Sequence, residues 1–317
     1  MIGWLLSLLL FVSVSFAGDI VPVQEIVVKG TAKDIMINDD KLIIATDSGV
    51  VQVYDITEKK FTQEIGLPKI KDFMGDAIPA RIHSVDFMDG RFLLLSDSGK
   101  GGYSNLWLHE NNTTTQLLSP KDKKAIVKAR FIDKGHILLG YLGNEAARYD
   151  ILGKKELYHV SLSPSKFSDF ALNEDKTRAV FACESGVLNV IDTKTGKIVK
   201  VLEGINLDNV YKVDFKQGII SGAGQDRKGS LYDAKSGKGD FLQGKFLIYA
   251  TGLSPSAKKV AFAMDEQNNI WVYDRSMKSK ISLLKGQKST LNAIIFMDED
   301  TIFSASDDNT VMMWKLK

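Results

Sequence analysis

The chain has 317 residues, 44% of them apolar and 25% charged, and 41 basic against 39 acidic side chains leave a net formal charge of +2. That is the composition of a soluble globular protein with core enough for one large domain. It argues against nucleic acid as a partner, because the lysines are spread along the chain and the pairs at 59–60, 123–124 and 154–155 fall where turns are expected, without interleaved aromatics.

The amino terminus reads as an export signal. Trp4 to Phe16 is an apolar and hydroxyl run, and Ser15-Phe16-Ala17 before Gly18-Asp19 has small residues at the places a signal peptidase requires. Met1-Ile2-Gly3 carries no Lys or Arg, a departure from the usual pattern. A retained anchor would need about 20 apolar residues, more than this run supplies. Residues 1–17 are therefore expected to be removed. No cysteine stands near the junction to take a lipid, so residues 18–317 are expected as a single soluble domain outside the cytoplasm, with no membrane contact after cleavage.

From there the chain repeats. Tyr149-Asp150, Ile191-Asp192, Tyr232-Asp233, Tyr273-Asp274 and Trp314-Lys315 close similar segments 41 or 42 residues apart, and Val50–Asp55 and Ser104–His109 are the two earlier equivalents. Each segment holds apolar-alternating runs separated by polar or Asp/Gly/Asn-rich turns, which reads as one four-stranded sheet per repeat. Second strands align at 42–45, 92–95, 137–140, 179–182, 218–221, 260–263 and 301–304. First strands share the spacing of Ile82, Val85 and Phe87, seen again at Val210, Val213, Phe215 and at Leu291, Ile294, Phe296. The expected fold is all-β, a seven-bladed β-propeller. The seventh repeat ends without an outer strand, so residues 23–30 are expected to supply it and to close the ring, hiding two sheet edges.

Signals for catalysis are weak. Cys183 is the single cysteine, which excludes an internal disulfide, a CxxC pair and a covalently attached haem; it reads as a small buried thiol. His83, His109, His136 and His159 show no metal-ligand spacing. Ser98-Gly99-Lys100-Gly101-Gly102 lies between two strands and opens no helix, so it is no phosphate loop. Asn111 and Asn112 each begin an N-x-Thr sequon, but the same run is a natural turn. No catalytic residue, metal or cofactor is expected. A second reading, a small ligand in the axial channel, stays open on the polar first-strand residues Asp34, His83, Asp86, Lys128, Arg130, Asp169, Lys212 and Asp214.

One interval breaks the period: Asp55 to His109 is 54 residues, about 13 more than the others. The surplus falls in 66–81, between an outer strand and the next first strand, which should emerge on the same face as the turn Lys100–Tyr103. Phe73, Met74, Ile78 and Tyr103 are expected to form an apolar patch rimmed by Lys69, Lys71, Arg81 and Lys100. Phe73, Met74, Ile78, Arg81, Lys100 and Tyr103 are the candidate partner-binding residues.

The repeats resemble WD repeats over residues 23–317, best in the last: Gly286-Gln287, Leu291, Ile294, Phe296, Ser304-Ala305-Ser306, Asp308, Thr310 and Trp314. In that family a His after the Gly joins the turn Asp, a strand hydroxyl and the Trp in a buried network. Gln287 replaces the His and Lys315 the final Asp, so the fold is expected to rest more on apolar packing than on that network. Taken whole, the chain is also similar to the NapL family of exported propellers encoded beside the periplasmic nitrate reductase. The resemblance implies a non-catalytic accessory protein whose partner is that reductase or its electron-transfer subunits; a periplasmic monomer is expected. It carries over no functional residue.

Overall fold

A computed structural model describes residues 18–316. The expected signal segment, residues 1–17, lies outside the described residues. Seven blades form the ring, six of them four-stranded antiparallel sheets and one, blade 6, carrying a fifth strand. Blade 1 comprises Ala32–Asn38, Lys41–Thr46, Val50–Asp55 and Lys60–Gly66, and blade 2 comprises Ile82–Met88, Arg91–Asp97, Ser104–Glu110 and Thr113–Leu118. Blades 3 to 6 begin with first strands Ile126–Asp133, Phe167–Leu172, Val210–Lys216 and Thr251–Leu253. Blade 7 takes Leu291–Phe296, Thr301–Ser306 and Thr310–Lys315 from the carboxyl terminus, and its outer strand is Gln24–Val27, antiparallel to the last. The expected closure is present.

The sequence period has a physical cause visible here. The repeated Asp at the end of a third strand folds the turn to the outer strand: Asp55, Asp192, Asp233 and Asp274 each accept through Oδ1 from the backbone N–H three residues on, at 2.6–2.9 Å, and Asp150 does so at 3.1 Å. Such Asx turns reward Asp at that one place. Blade 2 turns instead on Asn111 and Asn112, both with positive φ, as a two-residue hairpin requires. Blade 7 needs no such turn, because its outer strand arrives from the other end of the chain, and Lys315 stands there.

Apolar alternation fills the joints between blades. Each of the seven core clusters spans two neighbouring blades, for instance Ile43, Val51, Ile82 and Leu94 between blades 1 and 2, and Ile270, Leu284, Met312 and Trp314 between blades 6 and 7. A strand absent from the sequence reading is Gly18–Ile20, which pairs in parallel with Lys280–Leu284 as a fifth strand on blade 6. Ile20 is buried in the joint between blades 6 and 7, and Asp19 pairs with Lys285. The first ten described residues thus bind two blades in succession.

Blade 7 keeps a WD-type hydrogen-bond chain that leaves out the turn Asp, since Asp308 accepts from Thr310 N instead. Trp314 Nε1 donates to Ser304 Oγ at 2.8 Å, Ser304 Oγ donates to Gln287 Oε1 at 2.8 Å, and Gln287 Nε2 donates to Ser306 Oγ at 2.5 Å. The amide of Gln287 has both a donor and an acceptor end, so it spans two hydroxyls where an imidazole would, without a titratable proton.

Candidate functional site

Two concave regions gather charged residues. The axial channel, about 370 Å³, is lined by Asp34, Asp86, Lys128, Arg130, Asp169, Lys212 and Asp214, seven of the eight polar first-strand residues singled out from sequence. Their geometry is structural. Asp34 Oδ2 accepts from Val85 N at 2.9 Å, Asp86 Oδ2 from Phe131 N at 2.7 Å, Asp169 Oδ2 from Val213 N at 3.1 Å and Asp214 Oδ2 from Leu253 N at 2.8 Å. Each carboxylate therefore bonds the first strand of the next blade. Carboxylate-to-amide bonds of this kind contribute roughly 1.5–3 kcal/mol each.

The cations complete the set. Lys128 Nζ reaches Asp169 Oδ1 at 2.6 Å in the neighbouring blade, and Arg130 spans the channel from blade 3 to Asp34 of blade 1 at 2.8 Å. Burial works to raise the pKa of Asp169, but Lys128 and Lys212 prevail and hold it below the ordinary carboxylate value. Asp86 differs: burial pushes its pKa up despite Arg130 and Lys176. Burial also lowers the pKa of Lys128 against the pull of Asp169.

The second region is off axis. A groove of about 960 Å³ runs across blades 1 to 3 on the face where the second-to-third-strand turns emerge. The 66–81 insertion forms its wall as a small hairpin, Ile70–Lys71 paired with Ala77–Ile78. Its tip is tied by Asp76 N to Asp72 Oδ1 at 2.9 Å and by Gly75 N to Asp72 O at 3.2 Å. The hairpin leans on the 98–102 turn so closely that any side chain at Gly99 would collide with the Lys71 carbonyl. Within that turn Ser98 Oγ donates to Tyr103 O at 2.6 Å.

Five of the six residues proposed from sequence border this groove: Phe73, Ile78, Arg81, Lys100 and Tyr103. Met74 does not; it stands at the hairpin tip, 81% exposed, beside Phe73 at 99%. Two large apolar side chains held in solvent by a hydrogen-bonded turn are costly unless something covers them. Arg81 is bound to Asp97 at 2.7 Å, whereas Lys69, Lys71 and Lys100 form no ion pair among the described residues.

His83 belongs to this groove and not to the channel, a correction to its expected position. Burial lowers its pKa against the nearby Asp97. Ile70, Asp97, Val127 and Leu142 also line the groove, and sequence reasoning missed them. Their only signal was position in the repeats, at strand ends and turns facing the insertion.

Cys183 is fully buried and within 3.2 Å of Ser185 Oγ, as a packing thiol should be. Among the described residues no group of three or more His, Cys, Asp or Glu is placed to hold a metal ion, and no helix is long and apolar enough to cross a membrane.

A closed ring of seven blades defines the class: a seven-bladed β-propeller. No known protein family and no curated protein sequence matches the chain. Among solved structures it is similar to the β-propeller domain of Cps50 (Swd1) from Myceliophteria thermophila, with a TM-score of 0.73 over 93% of this chain and 99% of that one, at 14% identity. At that identity the likeness is one of fold.

Proposed function

We propose that this protein is an exported, non-catalytic scaffold that docks a protein partner in the groove of blades 1 to 3. The observation that carries this reading is the ordered hairpin tip displaying Phe73 and Met74 beside a groove bordered by Ile78, Tyr103 and Lys100. Apolar anchors with a polar rim are what partner sites offer. The channel offers less, since its aspartates already bind the backbone of neighbouring blades.

Export with cleavage after Ala17 follows from the leader sequence, and the working form is a monomer in the periplasm. The partner implied by the resemblance to NapL proteins is the periplasmic nitrate reductase or its electron-transfer subunits, whose maturation, stability or electron supply this protein would assist.

The test is a pull-down with the chain from Gly18 in periplasmic extract of nitrate-grown source cells, with bound proteins identified by mass spectrometry. The parent should recover reductase subunits. Recovery of other proteins, or of none, would remove the nitrate-reductase assignment.

A further inference from the structure

A third concavity lies on the opposite face, in the joint between blades 1 and 2. It is a cleft of about 330 Å³, at the small end of the roughly 300–1,000 Å³ typical of organic-ligand pockets. Its walls are apolar: Ile43 and Val53 on one side, Phe87 and Phe92 on the other, the two rings 4.8 Å apart and edge to face. Hydrogen-bonding groups stand around them: the side-chain amide of the partly buried Gln63 and, at the exposed rim, those of Asn111 and Asn112, none of which has a protein hydrogen-bond partner among the described residues.

His109 completes the set. Its ring is 9% exposed, lies 6.0 Å from Phe92, and is held through Nδ1 to Thr114 Oγ1 at 2.8 Å. Its Nε2 has no protein partner among the described residues. Burial lowers its pKa, which favours the neutral imidazole.

We propose that this cleft is a binding site for a small uncharged heteroaromatic compound. No idle charge borders it, because the Lys41 ammonium is bound to Asp55 and, at 3.2 Å, to Asp40. An ionic ligand would lose its water with nothing to replace it. A flat ring would bury its faces on the apolar residues that line the cleft, and an edge carrying a donor and an acceptor would satisfy amides and a neutral imidazole, each of which can play either role. The turn that brings Asn111 and Asn112 to the rim has positive φ at both residues, a conformation Asn tolerates. This site is independent of the groove and of its partner.

The experiment is saturation-transfer NMR on the chain from Gly18, with nicotinamide as the heteroaromatic probe and glucose as an uncharged non-aromatic ring of similar size. Transfer to the pyridine protons and not to glucose is expected. Gln63→Trp, at a half-exposed place on an outer strand, should block the cleft and abolish transfer while the melting temperature stays near that of the parent. His109→Phe keeps an aromatic ring but removes the Nε2 bond to the ligand, along with the Nδ1 contact to Thr114, so loss of the ligand bond should weaken binding about three- to tenfold. Absence of transfer in the parent, transfer undiminished in folded Q63W, or transfer to glucose in place of nicotinamide would each overturn the proposal.

Discussion

The axial channel and the off-axis groove both collect charge, but they use it differently. In the channel Asp34, Asp86, Asp169 and Asp214 each reach a backbone N–H of the adjoining blade, and Lys128 and Arg130 bridge between blades. In the groove Arg81 and Lys33 have carboxylate partners, Asp97 and Asp307, His83 lies 3.6 Å from Asp97, and Lys100 has no ion pair among the described residues. Lys212 of the channel likewise has none among the described residues. A polar residue facing a cavity is thus not by itself a sign of a ligand. What sets the channel aspartates apart from Lys100 is that their bonding capacity is spent on the backbone of neighbouring blades.

The largest way to break that comparison is Asp169→Ala. It removes the bond to Val213 N and leaves the Lys128 ammonium in the channel without its carboxylate. A loss of about 3–5 kcal/mol is expected, as when one partner of a buried ion pair is removed, read as a lower denaturation midpoint in urea. A loss below 1 kcal/mol would mean the channel carboxylates do not hold the blades. Because the folded pKa of Asp169 is depressed, the stability it contributes is present above the ordinary Asp value near 4 and lost as pH falls through the folded value.

Asp86→Asn should behave oppositely. The folded pKa of Asp86 is raised, so its ionised form works against folding at neutral pH and its protonation adds stability as pH falls. Asn keeps an acceptor for Phe131 N without the charge. The variant is expected to melt higher than the parent at pH 7, with the gap closing toward pH 4. A lower melting temperature at pH 7 would show that Arg130 and Lys176 need the Asp86 charge.

The smallest expected effect on stability belongs to the groove. Phe73→Ala should change stability by less than about 0.5 kcal/mol, as for an exposed position, and Tyr103→Ala, at a partly buried place, by about 1 kcal/mol, yet together they should cut partner recovery in the pull-down several-fold. A large loss of stability with unchanged recovery would make the hairpin a structural cover.

Several features were legible before any coordinates. The aromatic-Asp endings marked the turn to each outer strand because an Asx turn needs its Asp at one fixed place, and Asp55, Asp192, Asp233 and Asp274 all serve it. The missing outer strand of blade 7 pointed to Gln24–Val27. The long Asp55–His109 interval located the insertion and five groove residues. Met74 stands at the exposed hairpin tip and does not line the groove, because the two-residue strands end in a tight turn before it. Gln287 was readable as the replacement for the His, but the span of its amide across the Ser304 and Ser306 hydroxyls was not. Gly18–Ile20 was unreadable as a strand, since its partner Ser282–Leu284 lies more than 260 residues away.

The sequence by itself determined the period, the blade count, the closing strand and the place of the insertion, because local alternation and turn chemistry repeat along the chain and leave a readable rhythm. Only the tertiary structure decided which polar residues are spent and which are idle. Asp34 meets Arg130 across a distance of 96 residues, and Asp169 meets Val213 across 44. Those meetings depend on the closed ring, which sets side chains from separate repeats within hydrogen-bonding reach, and no local pattern encodes them.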